Sequence, residues 1–553
     1  MNYHENHASR ALCRLARRAI SRPHSASGKT ALSNRIASGA VLLTIAALVL
    51  VGCGGGGGNA GTTFPANAGQ SSTASAPTPA ATEAQDSIVA SSLVQQLCVA
   101  PRSGIDPATG GAFTDQSGTV AQEKSWLRAW IDETYLWFDE IPSSVRAADY
   151  ATPKDYFGVL RTPALTPSGK PKDQFHFSYD TTVWQALTQA GVEAGYGFEL
   201  AILKPQPPRE TRVAYTDPGT PAALAGIARG ATILSVDGVD AVNGADTAAL
   251  NVGLFPSAAG RQHRITLREL DGTVRTVTLT SANVTKTPVQ NVKVIDTPTG
   301  KVGYLLFNDH IGPSEALLID AIGALQSAGV RDLVLDIRYN GGGLLDIASQ
   351  LAYMIATPAA TTGTTFERLR FNSKNPFGLT EAQAATPFHA TSRGFSTPRG
   401  QALPQLGLSR VTVLTGPGTC SASEAVINGL RGVNVEVNII GGATCGKPYG
   451  FLPQDNCGTT YFAIQFKGVN NAGFGDYADG MAPTCAVADD FSRQLGDPAE
   501  GRLAAALSYR ATGNCPPVAS AVAKSGLSAA TGAALLSGKS MARSERIIRP
   551  ERP

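Results

Sequence analysis

The stretch that decides the fold is Asp332-Leu-Val-Leu-Asp-Ile-Arg-Tyr-Asn-Gly-Gly-Gly343. Its first half is a short apolar run typical of a buried strand, and its three glycines permit a sharp turn. A second strand, Val411–Thr415, leads into Gly-Pro-Gly-Thr-Cys-Ser421-Ala-Ser-Glu424 and a helical segment. A third, Val435–Ile440, leads into Gly441-Gly-Ala-Thr-Cys-Gly-Lys447. Strands that alternate with helices predict an α/β core, over residues 287–515, with functional loops after the strands.

Upstream of this core, short strand-like segments separated by turn residues indicate a β-rich domain over residues 190–286. The segment Arg212–Gly226 and the following Gly230-Ala-Thr-Ile-Leu-Ser-Val-Asp-Gly238 resemble a PDZ domain. The resemblance implies that the loop Gly195-Tyr196-Gly197-Phe198 presents backbone N–H groups to the terminal carboxylate of a peptide, which adds as a strand to the sheet edge. The alternative is a PDZ-like fold that serves internal packing.

The first folded stretch, residues 91–189, is predicted to be a small helical region. Trp126, Trp130, Ile131 and Trp137 fall at helical spacing with charged residues between them. An aromatic stripe of this kind is more typical of core packing than of a ligand site.

The start of the chain has the pattern of a targeting segment. Residues 1–36 carry seven basic residues and one acid, and the apolar run 36–52 ends at Cys53. This is the pattern of a secretory signal peptide. Leu50-Val-Gly-Cys53 resembles a bacterial lipobox, which implies that Cys53 becomes the lipidated first residue of the mature protein. A one-pass membrane anchor is the alternative reading, because the run is close to the minimum spanning length.

Low-complexity segments flank the folded part. Residues 54–90 consist mainly of Gly, Ala, Ser, Thr and Pro, which predicts a flexible linker. Residues 516–553 are rich in small residues and end in a basic stretch, which predicts a low-complexity tail. We therefore expect a protein of the cell envelope, lipid-anchored and facing the periplasm on the outer membrane, or exported.

The amino-acid composition argues against several classes of protein. A chain of 553 residues is long enough for two or three domains, and 43% hydrophobic residues exclude a wholly disordered chain. The net charge is +3 and its excess lies near the two ends, which does not favour a nucleic-acid partner. Seven histidines leave little material for a His-built metal site.

The cysteines fit an oxidising compartment. With Cys13 removed in the leader and Cys53 used for lipidation, six of the eight remain, which suggests three disulfides. Six cysteines allow 15 pairings, and proximity in sequence suggests Cys445 with Cys457. A zinc site is the alternative, but the chain lacks a C-x-x-C pair or a nearby histidine to support it.

The candidate chemistry lies on the three loops of the core. A serine at a helix start is ordinarily an N-cap, but Ser421 is accompanied by Lys447 on the next loop and by the glycine run 341–343. A neutral lysine can act as the base that activates a serine. Because an unperturbed lysine has a pKa of about 10.4, burial would have to lower the pKa of Lys447 considerably. The glycines allow backbone N–H groups to approach a substrate oxygen closely.

Together these motifs resemble the carboxyl-terminal processing peptidases, or tail-specific proteases. The resemblance rests on Leu335–Gly343, Thr419-Cys-Ser-Ala-Ser-Glu424 and Gly446-Lys447, in that order. It implies a multi-domain α/β protein with a ClpP/crotonase-like peptidase core. It also implies that Ser421 is the nucleophile and Lys447 the general base, and that the amides of Ala422 and Gly342 hold the oxyanion.

The sequence departs from this family in several places. Many members carry a Gln four residues after the lysine, where this chain has Phe451, so Gln454 or Gln465 is a candidate substitute. Cys420 and Cys445 flank the predicted catalytic pair, and a disulfide there would clamp the loops or make activity sensitive to redox conditions. The stretch 357–408 has the length of an insertion that serves as a lid or specificity loop.

Other assignments stay open at the level of sequence. Ser423 is an alternative nucleophile, His310 an alternative base, and Glu424 a residue that caps or orients the helix. Asp336 and Arg338 are expected to form a buried ion pair that supports the glycine turn. The segment 441–447 resembles most of a P-loop, but proline follows where a hydroxyl must bind magnesium.

The sequence thus predicts a serine endopeptidase that recognises protein C-terminal tails and cleaves them with a Ser–Lys dyad. Its partners would be proteins or peptides with free C-termini and, through the lipid anchor, a membrane. The prediction includes neither a metal nor another cofactor. The alternative is a catalytically silent binding lipoprotein of the same fold.

Overall fold

The computed structural model describes residues 88–107 and 109–517 and the backbone of residues 546–547. The predicted leader, Cys53 and most of the linker lie outside the described residues. Among the residues described, every helix is too short or too polar to cross a membrane.

The N-terminal region is built on one long amphipathic helix. Its elements, in chain order, are β1 (Leu97–Cys98), β2 (Gln116–Ser117), α1 (Val120–Thr134), α2 (Pro153–Val159), β3 (Phe177–Asp180) and α3 (Thr181–Gln185). Helix α1 starts at Thr119 because the Thr119 and Gln122 side chains each accept a hydrogen bond from the other's backbone N–H. Trp126 and Trp130 stack with ring centroids 5.5 Å apart and, like Ile131, are buried, so this part of the stripe packs in the core as expected. Trp137 lies beyond the end of α1 and is half-buried, so it does not continue the helical stripe.

The second region has its own sheet and its own core. Its elements are β4 (Val192–Gly195), β5 (Phe198–Lys204), β6 (Glu210–Thr216), α4 (Pro221–Leu224), β7 (Thr232–Val236), β8 (Val239–Asp240), α5 (Thr247–Leu254), β9 (Gln262–Arg268), β10 (Val274–Thr280) and β11 (Ala282–Thr285). The strands follow the order β10-β9-β7-β6-β5, with β8 on β7. Strand β5 therefore ends the sheet. Buried residues between Tyr196 and Leu279 form a separate apolar cluster.

The third region contains the central sheet. Its first elements are β12 (Val289–Thr297), β13 (Gly300–Phe307), α6 (Ser314–Ser327), β14 (Leu333–Asp336), β15 (Gly343–Leu344), α7 (Leu345–Ile355), α8 (Pro358–Thr361), β16 (Thr365–Phe371), β17 (Ala385–Pro387), β18 (Arg410–Thr415) and α9 (Ala422–Arg431). They are followed by β19 (Glu436–Gly441), β20 (Tyr449–Gly450), β21 (Gln454–Asn456), β22 (Thr459–Phe462), β23 (Phe466–Val469), β24 (Cys485–Ala486), α10 (Gly501–Thr512) and β25 (Arg546–Ile547).

The central sheet confirms the α/β class. Its order is β12-β13-β14-β18-β19-β24, and all neighbours except β12 and β13 are parallel. The strands are buried on both faces, which explains their continuous apolar sequence. Strands β14, β18 and β19 end at the same edge, where the loops that carry Gly342, Ser421 and Lys447 begin.

The predicted insertion, 357–408, carries α8, β16 and β17. Strand β16 pairs with β17 and β23 in a four-stranded sheet that also includes β20. Glu315 of α6 fixes the later part of the insertion, because its carboxylate accepts hydrogen bonds from the amides of Phe395 and Ser396 at 2.7 and 3.1 Å.

Three disulfides join the six cysteines, as their number predicts. The pairs are Cys98–Cys457, Cys420–Cys445 and Cys485–Cys515. The suggested pairing of Cys445 with Cys457 is wrong, since proximity in sequence does not place two Cβ atoms within bridging distance. Cys457 instead ties the N-terminal region to the third region.

Candidate active site

Ser421 lies at the turn between β18 and α9. It is fully buried and has a φ of 59° and a ψ of −113°, a backbone conformation that non-glycine residues rarely adopt. Such a residue costs of order 1–3 kcal/mol and persists only where its surroundings hold it. The Ser421 amide donates to Glu424 Oε2 at 2.9 Å, which is one of the interactions that hold it.

Lys447 lies on the loop between β19 and β20, with 1% of its surface exposed. Its Nζ lies 4.1 Å from the ring centroid of Phe451 and 4.7 Å from that of Phe175. Burial disfavours the charged ammonium group, whereas the two ring faces favour it. The aromatic rings also restrict where the side chain can lie.

Phe451, four residues after Lys447, therefore contacts the lysine from the position where the family resemblance implies a glutamine. The candidate substitute Gln465 uses its side-chain amide elsewhere, because Oε1 accepts from Leu452 N at 2.5 Å and Nε2 donates to Thr134 Oγ1 at 3.3 Å. Gln454 turns its amide to the Asp455 carbonyl. The second ring, Phe175, comes from the N-terminal region, and the sequence offered no signal for it.

Glu424 connects the serine loop to the lysine loop. Its Oε2 accepts from the amides of Ser421 and Lys447 at 2.9 and 2.8 Å, so one oxygen holds both main chains. Its Oε1 accepts from Gly446 N at 2.9 Å and from Thr444 Oγ1 at 2.6 Å. Burial raises the pKa of Glu424, whereas the hydrogen bonds that its carboxylate accepts lower the pKa in part. Ser421 and Glu424 have the three-residue spacing of a capping box, which was the sequence signal for the contact between these two residues.

A disulfide joins the same two loops. Cys420, next to Ser421, is bonded to Cys445, two residues before Lys447, and the two Cα atoms are 5.2 Å apart. The clamp that the sequence suggested is thus present. The two cysteine Sγ atoms and a carboxylate oxygen of Glu424 lie within 4.8 Å of one another. Disulfide sulfurs are not thiolate ligands, however, and the Glu424 oxygens already accept four hydrogen bonds. This group does not fit a metal ion in the oxidised protein.

The glycine turn lies beside the serine loop, held by Asn340. Asn340 Oδ1 accepts from Gly342 N at 2.9 Å and from His310 Nδ1 at 3.0 Å, while Nδ2 donates to the Phe307 carbonyl. Gly343 has a φ of 136°, and a Cβ there would lie 2.3 Å from the His310 carbonyl oxygen. Glycine is therefore required at this position. Ala422, the other predicted oxyanion donor, is the first residue of α9.

Ser423 and His310, the alternative nucleophile and the alternative base, both make contacts that stabilise the glycine turn. Ser423 Oγ donates to the Asn340 carbonyl at 3.0 Å, which fixes the glycine turn against α9. His310 is buried against Phe307, and burial lowers its pKa to about 3. The imidazole is therefore neutral at ordinary pH, with its proton on the Nδ1 that faces Asn340.

The expected ion pair of Asp336 and Arg338 is confirmed. Arg338 Nε and Nη2 each donate to the Asp336 carboxylate at 2.9 Å, and Arg338 also donates to Glu500 at 2.7 and 2.9 Å. Arg229 extends this network from the second region, because it donates to Asp489 and to Tyr339 Oη, both at 2.7 Å. Asp489 also accepts from Arg338 at 2.8 Å. A side chain of the β-rich domain thus reaches the residue that precedes Asn340.

The predicted carboxylate-binding loop lies at the start of β5. Tyr196 is buried and its hydroxyl donates to the Gly253 carbonyl of α5 at 3.0 Å. Gly197 has a φ of 79°, and a Cβ there would lie 2.3 Å from the Thr220 side chain. Phe198 begins β5, the strand that ends its sheet. The loop, the end strand and α5 therefore adjoin one another.

Comparison with known proteins gives two family matches. Residues 301–454 match the model of peptidase family S41, and residues 122–179 match the peptidase S41 N-terminal domain. The first match covers the glycine turn, Ser421 and Lys447, and the second covers α2 and the part of α1 from residue 122 onward.

Two curated relatives are similar over longer stretches. A carboxyl-terminal-processing protease of Picosynechococcus is 26% identical over 353 residues, which is 61% of this chain and 74% of the relative. A chloroplastic C-terminal processing peptidase of Tetradesmus obliquus is 29% identical over 263 residues, 45% of this chain and 52% of the relative.

A solved structure shares the fold. It is a Bacteroides fragilis protein that was assigned to the S41 proteases; it is 24% identical, with a TM-score of 0.54. The match covers 70% of this chain and 97% of that structure.

Proposed function

We propose a Ser–Lys mechanism for this chain, which belongs to the carboxyl-terminal processing peptidases of family S41 and is a serine-type peptidase. The observation that carries the proposal is the Glu424 carboxylate, whose Oε2 binds the amides of Ser421 and Lys447 together. The Cys420–Cys445 disulfide adds a covalent link between the same loops. Both side chains are buried, which suits a base that must be neutral.

In the first step, neutral Lys447 takes the proton of Ser421 Oγ while the oxygen attacks the substrate carbonyl. The negative charge on the carbonyl oxygen is stabilised by the N–H groups of Ala422 and Gly342. Because the Gly342 amide donates to Asn340 Oδ1 in the structure, that hydrogen bond has to be exchanged for one to the oxyanion. The C–N bond then breaks, and the leaving amine receives the proton from Lys447.

In the second step, water attacks the acyl-enzyme. Lys447 takes a proton from the water, the Ser421 ester bond breaks and the serine regains its proton. The reaction consumes one water, and no step of this proposed mechanism uses a metal or organic cofactor.

Recognition of the substrate's end is assigned to the β-rich domain, residues 190–286, as a PDZ domain. A peptide would add to β5 beside α5, with its terminal carboxylate at the amides of Tyr196, Gly197 and Phe198. The adjacency of this loop to the end strand supports the assignment.

The cell envelope is the proposed location, with Cys53 as the lipid site and peptides or proteins with free C-termini as partners. Three disulfides among the described residues support an oxidising compartment. The division into the leader 1–53, linker 54–90, helical region 91–189, PDZ-like domain 190–286, core 287–515 and tail 516–553 stays a prediction.

The pH–rate profile tests the role of Lys447. We expect kcat/KM of the wild type to rise with pH as the amine loses its proton, and Lys447→Ala to lose this limb together with most of the activity. Full activity in Lys447→Ala would refute the dyad. A reporter peptide and its C-terminally amidated form test the PDZ assignment, since amidation should raise KM and leave kcat nearly unchanged.

A further inference from the structure

Two aromatic rings lie against the amine of Lys447. The ring centroid of Phe451 is 4.1 Å from Lys447 Nζ and that of Phe175 is 4.7 Å from it. Both phenylalanines are buried, and so is the lysine. An ammonium group over the face of a ring is attracted by the ring quadrupole, and most strongly where water is excluded. The rings therefore favour a positive charge on Nζ at a place where burial disfavours it.

The two rings come from different regions of the fold. Phe451 lies four residues after Lys447 on the same stretch of chain, directly after β20, whereas Phe175 lies in the N-terminal region between α2 and β3. The surroundings of the candidate base are thus completed by the packing of the N-terminal region against the core.

Phe175 is held in place by a buried carboxylate. Its amide donates to Asp173 Oδ1 at 3.0 Å, while Asp173 Oδ2 accepts from Tyr135 Oη at 2.6 Å. On the other side, His176 Nε2 donates to the Phe157 carbonyl at 2.9 Å, and the two rings stack with centroids 3.9 Å apart. These contacts fix the main chain before and after Phe175, so the packing of the N-terminal region sets the position of its ring.

We infer that Phe175 and Phe451 are positioning residues that stabilise the positive charge which Lys447 acquires when it takes the proton of Ser421, an inference that rests on the proposed function. In that step the Oγ–H bond breaks, the proton binds to Nζ, and a neutral amine becomes an ammonium ion. The rings bind the ion more strongly than the neutral amine. Their contribution is therefore larger in the transition state than in the ground state, which is the condition for a faster reaction.

The charge gives the rings a kinetic signature that packing alone does not produce. Leucine in place of a ring keeps the pocket apolar but removes the π face. The transition state loses stabilisation, so kcat/KM on the alkaline plateau should fall by about tenfold per ring. The resting ammonium group loses the same stabilisation, so the acidic limb should move to lower pH by about one unit. Below the limb the two changes cancel, and variant and wild type should have nearly equal kcat/KM.

The other titratable groups around the lysine loop are kept in these variants. They are Glu424, which accepts from the Lys447 amide, the neighbouring pair of Asp173 and His176, and Tyr449, whose pKa is raised to about 12 by burial. A difference in the acidic limb between the wild type and a leucine variant therefore reports the loss of the ring.

The test is the pH profile of kcat/KM on a reporter peptide, for the full chain as wild type, Phe175→Leu and Phe451→Leu. Phe138→Leu is the matched control, because Phe138 also belongs to the N-terminal region and its ring centroid lies 4.0 Å from the amine of another lysine, Lys374. That amine is bonded to Asp132 at 2.7 Å. The control should keep both the plateau and the limb of the wild type, whereas both should be lower in the two other variants.

A fluorinated ring provides the same test without a cavity. Pentafluorophenylalanine at position 175 keeps the shape of the ring and reverses its quadrupole, so it should shift the limb further than leucine does. Urea unfolding curves of each protein establish that the fold is unchanged.

The outcomes separate the inference from the proposed function. A wild type that cleaves the reporter, with plateau and limb unchanged in the ring variants, refutes the inference and leaves the proposed function standing. A loss of equal size at every pH, or a limb that moves to higher pH, also overturns the inference, since the rings would then serve only to pack the site or to exclude water. A wild type that does not cleave the reporter refutes both.

Discussion

The substitution Glu424→Gln tests whether the Glu424 carboxylate positions Ser421 relative to Lys447. The glutamine has the size of the glutamate, but it replaces one oxygen by an NH₂ group. Each Glu424 oxygen accepts two hydrogen bonds, so the new NH₂ group faces donors on whichever side it lies. On the Oε1 side the Thr444 hydroxyl can rotate, but the Gly446 amide stays without an acceptor.

The cost follows from the lost hydrogen bonds. A hydrogen bond to a charged group contributes about 1.5–3 kcal/mol, so losing one bond on the Oε1 side or both on the Oε2 side amounts to about 1.5–6 kcal/mol. Burying a neutral side chain in place of a carboxylate offsets part of this loss. We expect the free energy of unfolding to fall by about 2–4 kcal/mol. A displacement of Ser421 from Lys447 by about 1 Å would lower kcat by about 100-fold.

Glu315→Gln is the matched control. Glu315 is also a buried carboxylate that accepts backbone N–H groups, but it holds the insertion, at Phe395 and Ser396, rather than the catalytic loops. Both variants should lose stability in urea unfolding. In steady-state kinetics on a reporter peptide, kcat should fall in Glu424→Gln and change by no more than about twofold in Glu315→Gln.

Two results would contradict this reasoning. Wild-type kcat in a folded Glu424→Gln variant would mean that the carboxylate does not position the two loops. An equal loss of kcat in Glu315→Gln would mean that general loss of stability, rather than the link between the loops, lowers activity.

Three further predictions concern neighbouring residues. Ser423→Ala should keep the nucleophile and lose less than about tenfold in kcat, because its hydroxyl contributes one hydrogen bond to the glycine turn; inactivation with a wild-type fold would point to Ser423 as the nucleophile. Replacing both cysteines of the Cys420–Cys445 pair by serine should lower the free energy of unfolding by about 3.5 kcal/mol for a 25-residue loop. It should also lower kcat, whereas the same change at the 30-residue Cys485–Cys515 pair should cost similar stability and leave kcat intact. Burial lowers the pKa of His310 to about 3 from 6.5, so the folded state binds fewer protons than the unfolded state between these values. Wild-type stability should therefore fall as pH decreases from 6.5 towards 3, and His310→Gln should lose less stability over that window in unfolding titrations.

Much of the fold could be predicted because its signals are local. Apolar runs such as Leu333–Asp336 mark strands buried on both faces, and the residues after them mark the loop edge. The buried pair of Asp336 and Arg338 also follows from two opposite charges inside an apolar segment. The stripe of Trp126 and Trp130 was predictable from helical periodicity.

Contacts between distant parts of the chain could not be predicted. The pairing of Cys98 with Cys457 spans 359 residues, so spacing gave no information on it. The ring of Phe175 over Lys447 and the strand at Arg546–Ile547 depend on tertiary packing in the same way. The capping-box spacing indicated that Glu424 faces Ser421, but its contact with the Lys447 amide required the return of β19 beside β18.

The central claim is that Ser421 is the nucleophile of a peptidase. The most direct test compares wild type and Ser421→Ala, both beginning at residue 91, on an unstructured reporter with an apolar C-terminus. Unfolding curves of the two proteins establish that the fold is unchanged. We predict cleavage by the wild type and its loss in Ser421→Ala. Equal cleavage by both proteins, or none by the wild type on a panel of such tails, would contradict the account.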